Sequence, residues 1–337
     1  MKRIYINKYI VDLAQEYAKN LFLKRQINFE KPLDNLQKLE DGLRKNKLLD
    51  VKYANYINKI IVKYPILNAI IPQEFDAITN NEFNCLTEVE LKDKFIINKA
   101  GKFVLQKSNT KKGTEIYKFI VNAMRYDAVR DEEFLSYVHK LGIKVCVYCN
   151  AQLAITTEDN NGKISGKYEL DHFYPKSKYP FLCTSFFNLQ PCCSHCNKSK
   201  LTRSSDFGLY TMNYSEINPF DFSITKKSLV KYMLSHDSND LEIIFNCQDA
   251  TLKTNHENLF HISALYETQK DVVEEIIWKS RIYNKNYRES LIDAFSNKFD
   301  KINFNRFILG NYDNPKDVHK RPLAKLIQDI ARQLKII

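Results

Sequence analysis

The chain has 337 residues, with 51 Lys and Arg against 40 Asp and Glu, a formal net charge of +11. Hydrophobic residues at 44% and charged residues at 27% are ordinary for a globular protein and exclude wholesale disorder; 8 glycines and 9 prolines are too few for a turn-rich all-β fold and point to helices. The longest unbroken apolar run, Val145–Cys149, is far short of the roughly 20 residues of a membrane span. Residues 1–17 also lack the apolar core of a signal peptide, so a cytoplasmic location is expected. Basic charge is concentrated at residues 279–337 (+7) and 141–205 (+4), which favours a polyanionic partner.

Residues 1–140 are expected to form a helical region. Ile10, Leu13, Ala14, Tyr17 and Leu21 recur at helical steps, and the pattern breaks near Asn28. Leu36–Leu49 and Tyr53–Tyr64 behave similarly, with Pro65 expected to end the second. Residues 66–112 are less regular, with turns at Lys99–Lys102 and Ser108–Gly113. A helix from Glu115 to Leu141, apolar at Ile116, Phe119, Ile120 and Met124, is expected to lead into the next region at Gly142.

That region, residues 141–205, holds six of the eight cysteines. Disulfides are a poor explanation in a cytosolic chain. Cys146-Val-Tyr-Cys149 and Cys193-Ser-His-Cys196 have the spacing with which a tight turn carries two thiolates about 3.5–4 Å apart, each about 2.3 Å from a tetrahedral zinc. Two such turns make a closed, structural Zn²⁺ site of Cys146, Cys149, Cys193 and Cys196. Cys192 abuts a ligand and reads as a small core residue, Cys183 lacks a paired partner, and Cys85 and Cys247 read as core cysteines. His195 lies inside the second turn and reads as exposed or as lying beside the ligands. The polar run Thr156–Gly166 reads as a hairpin insertion.

Residues 206–337 are expected to be mainly helical. Asn218–Asp221 reads as a turn and Leu241–Phe245 as a strand. Helix is expected over Leu259–Phe295, apolar at Ile262, Leu265, Val272, Ile276 and Ile277. A last helix is expected over Pro315–Leu334, with Leu323, Leu326, Ile327, Ile330 and Leu334 on one face. The whole is an α+β chain, mostly α-helical.

Between the two cysteine turns stand Glu169-Leu-Asp171-His172-Phe-Tyr-Pro-Lys176-Ser-Lys178, then Asn188-Leu-Gln, then Cys196-Asn197-Lys198-Ser-Lys200. In this order the segment 146–200, about one sixth of the chain, resembles the zinc-stabilised HNH endonuclease family. It departs from the family pattern at Asn197, where many members have His, and in the extra Cys192. The resemblance implies a ββα-metal (His-Me finger) core flanked by helical regions. It also implies that Asn188 holds the backbone so that His172 points at the scissile phosphate.

The chemistry follows from the residue types. Phosphodiester hydrolysis needs an activated water, and a neutral imidazole at position 172 can accept its proton. Asp171 and Asn197 offer oxygen ligands suited to Mg²⁺ or Mn²⁺. Glu169 lies two residues before Asp171 and could add a ligand, although a solvent-exposed strand residue is the commoner case. Adjacent strand residues face opposite ways, so the strand must end or kink for both Asp171 and His172 to reach one site. Lys176, Lys178, Lys198 and Lys200 flank it as candidate phosphate contacts.

The expected function is a metal-dependent endonuclease acting on DNA, duplex more than RNA. A restriction-type endonuclease and a non-catalytic zinc-held nucleic-acid-binding protein are the alternatives. The arrangement is also similar to the HNH component of Septu-type and retron-associated bacterial anti-phage systems, which implies an ATPase partner encoded alongside.

Overall fold

The computed structural model describes residues 1–25, 28–45, 51–99, 101–106, 112–294 and 301–337. The fold is α+β and mostly helical. Strand β1 (Ile4–Tyr5) leads into helix α1 (Lys8–Asn20), whose first turn is capped by the Asn7 side chain accepting from the Ile10 amide. The expected face of α1 is the buried one: Ile10, Leu13, Ala14 and Tyr17. Helix α2 (Pro32–Arg44) starts at a proline, which loses nothing there because the first amides have no intrahelical partner. Residues 46–49 of the second expected helix lie outside the described residues. Helix α3 (Val51–Leu67) runs through Pro65, where a stop was expected. A proline two residues from a helix end disturbs only the final turn, so the cost is small.

After α4 (Phe75–Glu82) and α5 (Glu88–Leu91), the stretch without clear periodicity contains a three-stranded sheet. Its strands are β2 (Lys94–Ile97), β3 (Phe103–Leu105) and β4 (Thr114–Glu115), in the order β3-β2-β4 and all antiparallel. Gly101, at φ +71°, turns β2 into β3 where a turn was expected. Residues 108–111 of the other expected turn lie outside the described residues. The single helix expected over Glu115–Leu141 is broken. Helix α6 (Ile116–Ala123) ends before Arg125, which is left-handed at φ 59°. Then come α7 (Tyr126–Ala128), a π turn at Val129–Glu133 and α8 (Leu135–Lys140). The Arg125 guanidinium, donating to the Glu30 carbonyl, ties this break to the segment before α2.

The centre is built from β5 (Ile155–Glu158) and β6 (Ile164–Lys167), the expected hairpin, followed by an antiparallel pair, β7 (Glu169–His172) and β8 (Leu189–Cys192), and helix α9 (Ser194–Lys200). Strand β9 (Tyr210–Thr211) pairs in parallel with β1. Only residues 218 and 219 of the next expected turn are loop. Phe220 already begins β10 (Phe220–Ile224), which pairs with β11 (Ile243–Cys247) after α10 (Lys226–Ser235).

The expected helix over 259–295 is instead α11 (Ala250–Phe260), α12 (Ile262–Glu267), α13 (Lys270–Ile282) and α14 (Lys285–Ala294); residue 295 lies outside the described residues. His261, at φ 50°, breaks the first two apart. Helix α15 (Lys301–Leu309) follows. The last expected helix starts nine residues late: Pro315–Asp317 is a 3₁₀ turn, Leu323 is left-handed, and α16 is Ala324–Gln333. Its Leu326, Ile327 and Ile330 are buried, as expected. One contiguous cluster of buried side chains runs through all these regions, from Met1 to Ile336. No described helix is long and apolar enough to cross a membrane.

Candidate functional site

The four paired cysteines converge. Cys146 and Cys149 lie in the turn that follows the Val145–Leu153 bridge. Cys193 caps α9, its sulfur accepting from the Cys196 amide, and Cys196 sits in the first turn of that helix. All four are buried, and their sulfur atoms lie within 4.8 Å of one another. Four soft sulfur donors at this spacing suit tetrahedral Zn²⁺. Cys192 and Cys183 are buried outside the cluster, and His195 is exposed. Cys85 is exposed, against the expectation of a core position, because it lies in the loop between α4 and α5 rather than on a packed face.

Residues far along the chain hold the first turn, and sequence reasoning missed them. The Cys149 carbonyl accepts from the Tyr266 hydroxyl (2.7 Å), and the Tyr148 carbonyl bonds to His256 Nε2 (2.9 Å). Asn150 donates to the Val318 carbonyl and accepts from the Lys325 amide. For Asn150 the sign was an amide directly after the apolar run Val145–Cys149; His256, among Lys253, Thr254, Asn255, Glu257 and Asn258, carried none.

The strand carrying Asp171 and His172 stays regular to its end, with Asp171 opposite Gln190 and His172 opposite Leu189. It ends at His172 without a kink, the first of the two expected outcomes, and the two side chains take different partners. His172 is buried; its Nε2 lies 2.9 Å from the Cys183 carbonyl, and its ring centroid is 4.7 Å from that of Tyr126. A carbonyl can only accept, so Nε2 carries the hydrogen and Nδ1 the free lone pair. Burial, then the nearby Lys176 charge, pushes the imidazole down to about 3, so it is neutral at physiological pH.

Asn188 is fully buried and organises the loop after β7. It accepts from the Tyr174 amide (2.7 Å) and donates to the carbonyls of Tyr174 and Leu182. Leu182 directly precedes Cys183, whose carbonyl holds the imidazole.

On the other side of β7, the Asp171 carboxylate accepts from the Tyr148 hydroxyl (2.5 Å) and from Lys200 Nζ (3.0 Å). Lys200 also donates to the His172 carbonyl (2.8 Å) and is completely buried. Lys200 was expected to reach phosphate at the surface. Its position on the inner face of α9, against β7, makes it the partner of a buried carboxylate instead. Asn197 stands one turn earlier on α9 and is half-buried; among the described residues its side-chain amide takes no hydrogen bond. One carboxylate and one uncommitted amide oxygen are suitable donors for a hard divalent ion, which would share Asp171 with the Lys200 ammonium.

The other lysines differ among themselves. Lys176 lies with its ammonium 4.1 Å from the Tyr126 ring centroid, Lys178 pairs with Glu88 (2.9 Å), and Lys198 is exposed. Glu169 is exposed and lines a groove of about 840 Å³ with Arg130, Lys163 and Tyr168.

The Lys200–Asp171 pair sets a stability expectation. Lys200→Ala leaves a buried carboxylate without its counter-charge and should cost about 3–5 kcal/mol. A urea unfolding midpoint equal to that of the wild type would contradict this.

No family profile matches the chain, and no solved structure matches it. Over 60 residues, 18% of the chain, it is 40% identical to the Septu protein PtuB of Bacillus thuringiensis. The match spans about a fifth of that relative's own length.

Proposed function

We propose that this protein is a divalent-metal-dependent endonuclease of the HNH type, hydrolysing phosphodiester bonds in DNA, and that it serves bacterial anti-phage defence. The observation that carries the reading is the buried His172. Its Nε2 is committed to the Cys183 carbonyl and its Nδ1 lone pair is free, and it stands next to Asp171 on a strand joined to the cysteine cluster. In this reading Nδ1 takes the proton of the attacking water. Asn188 keeps the imidazole aimed by fixing the loop that ends at Cys183. Asp171 and Asn197 hold Mg²⁺ or Mn²⁺, which when bound stabilises charge on the phosphate and on the leaving oxygen. Lys176 and Lys198 contact neighbouring phosphates, and so does Lys178 when it exchanges Glu88 for the backbone. The partial likeness to a Septu protein supports the defence role; an ATPase partner is proposed only from the resemblance of the cysteine-flanked segment.

The Lys200–Asp171 pair favours the competing reading, a zinc-held nucleic-acid-binding protein without hydrolysis, because a cation already neutralises the carboxylate. Incubating the protein with supercoiled plasmid and Mg²⁺, Mn²⁺ or EDTA separates the two. The nuclease reading expects nicking that needs the metal and is lost in Asp171→Asn. Nicking that survives both EDTA and that substitution would end it.

A further inference from the structure

Tyr148 lies between two zinc-cluster cysteines and is wholly buried, its ring stacked on Phe260 at 4.5 Å. The direction of its hydroxyl is fixed by its neighbours. The Gln190 side-chain oxygen accepts from the Leu209 amide, so the Gln190 NH₂ faces Tyr148 and donates to its oxygen at 2.6 Å. The tyrosine hydrogen must then go to Asp171.

The other group on that carboxylate is Lys200, at the end of the helix that Cys193 caps and Cys196 enters. Both donors that orient Asp171 are therefore carried by the cysteine cluster, one by each of its turns. A turn pinned at Cys146 and Cys149 by one ion cannot shift the residue between them. Losing that ion removes the restraint that the hydroxyl and the helix share, and leaves the turn to its carbonyl partners Tyr266 and His256.

We infer that Tyr148 couples the two metal sites, so that zinc in the cysteine cluster sets how tightly a divalent ion is held at Asp171. This rests on reading Asp171 as a ligand of that ion. Linkage makes the coupling reciprocal: an ion at Asp171 must also tighten the binding of zinc by the same factor. Groups that hydrogen-bond a ligating carboxylate are typically worth about 10–100-fold in metal affinity.

The test uses the full chain loaded with one equivalent of zinc and follows Mn²⁺ binding by water-proton relaxation, with the equilibrium partition of zinc to a competing chelator as a second readout. Tyr148→Phe keeps the ring on Phe260. It should retain its zinc while binding Mn²⁺ about 10–100-fold more weakly. Mn²⁺ should reduce the zinc lost to the chelator at equilibrium in the wild type and not in Tyr148→Phe, an effect that a merely structural tyrosine would not produce.

Equal Mn²⁺ affinity in Tyr148→Phe and wild type, or a wild-type zinc affinity indifferent to Mn²⁺, overturns the coupling. Asp171→Asn reports on the underlying assignment: if it binds Mn²⁺ as tightly as the wild type, the ion does not sit at Asp171 and the functional proposal fails first. Should Tyr148→Phe not keep its zinc, the wild type alone decides: Mn²⁺ must tighten its hold on zinc, and a zinc affinity indifferent to Mn²⁺ overturns the coupling.

Discussion

Replacing His172 with alanine should lower plasmid cleavage by about 10²–10⁴-fold, the range for loss of a positioned proton acceptor. The variant should stay folded and keep its zinc, because the imidazole touches none of the four clustered sulfurs; its partners are the Cys183 carbonyl and the Tyr126 ring. The pH profile carries a second signature. An imidazole at its ordinary pKa would lose the free base as pH falls through 6.5. Here burial and Lys176 push it down to about 3, so the neutral form persists throughout pH 5–8. The expectation is that kcat/KM, which reports on the free enzyme, shows no inflection near 6.5. A phosphate that neutralises Lys176 removes one of the two main causes of the depression and raises proton affinity where the reaction needs it. Cleavage by His172→Ala within a few-fold of the wild type would remove His172 from the chemistry, and an inflection near 6.5 would contradict the burial argument.

The second large effect is expected at the cysteine cluster. Structural zinc sites contribute on the order of 10 kcal/mol in small zinc-binding peptides, and one missing thiolate forfeits much of that. In a larger chain a loss of several kcal/mol lowers Tm by on the order of 10 °C. Cys193→Ser should therefore bind less than one equivalent of zinc and melt well below the wild type. Cys192→Ala, one residue away and equally buried, should keep its zinc and lose only about 1–2 kcal/mol for the smaller side chain. Elemental analysis with thermal unfolding reads both. A Cys193→Ser protein with full zinc and an unchanged Tm would show that the cluster is not a metal site.

The cysteine cluster was legible because its chemistry is written in local spacing: two turns of fixed length can be recognised without knowing the fold. Helical content was legible from apolar periodicity, but its interruptions were not. Arg125, His261 and Leu323 adopt left-handed backbone conformations with no glycine to announce them. The β3-β2-β4 sheet is made of strands two to four residues long, too short to display a period. Lys200 was misjudged for a related reason. A lysine in a basic stretch reads as solvated, and only tertiary packing against β7 shows that it is sealed beside a carboxylate. Tyr266 and His256 reach the first cysteine turn across more than a hundred residues, a separation that no local pattern encodes.

That long reach bears on modularity. The first cysteine turn has its carbonyls served by α11 and α12, and its Asn150 by the segment entering α16. A graft of residues 141–205 into another scaffold would carry every sulfur ligand yet leave those carbonyl groups to be hydrated or paired anew. The cysteine turns and the helices behind them thus form one interdependent unit, and recombination across residue 205 would break it.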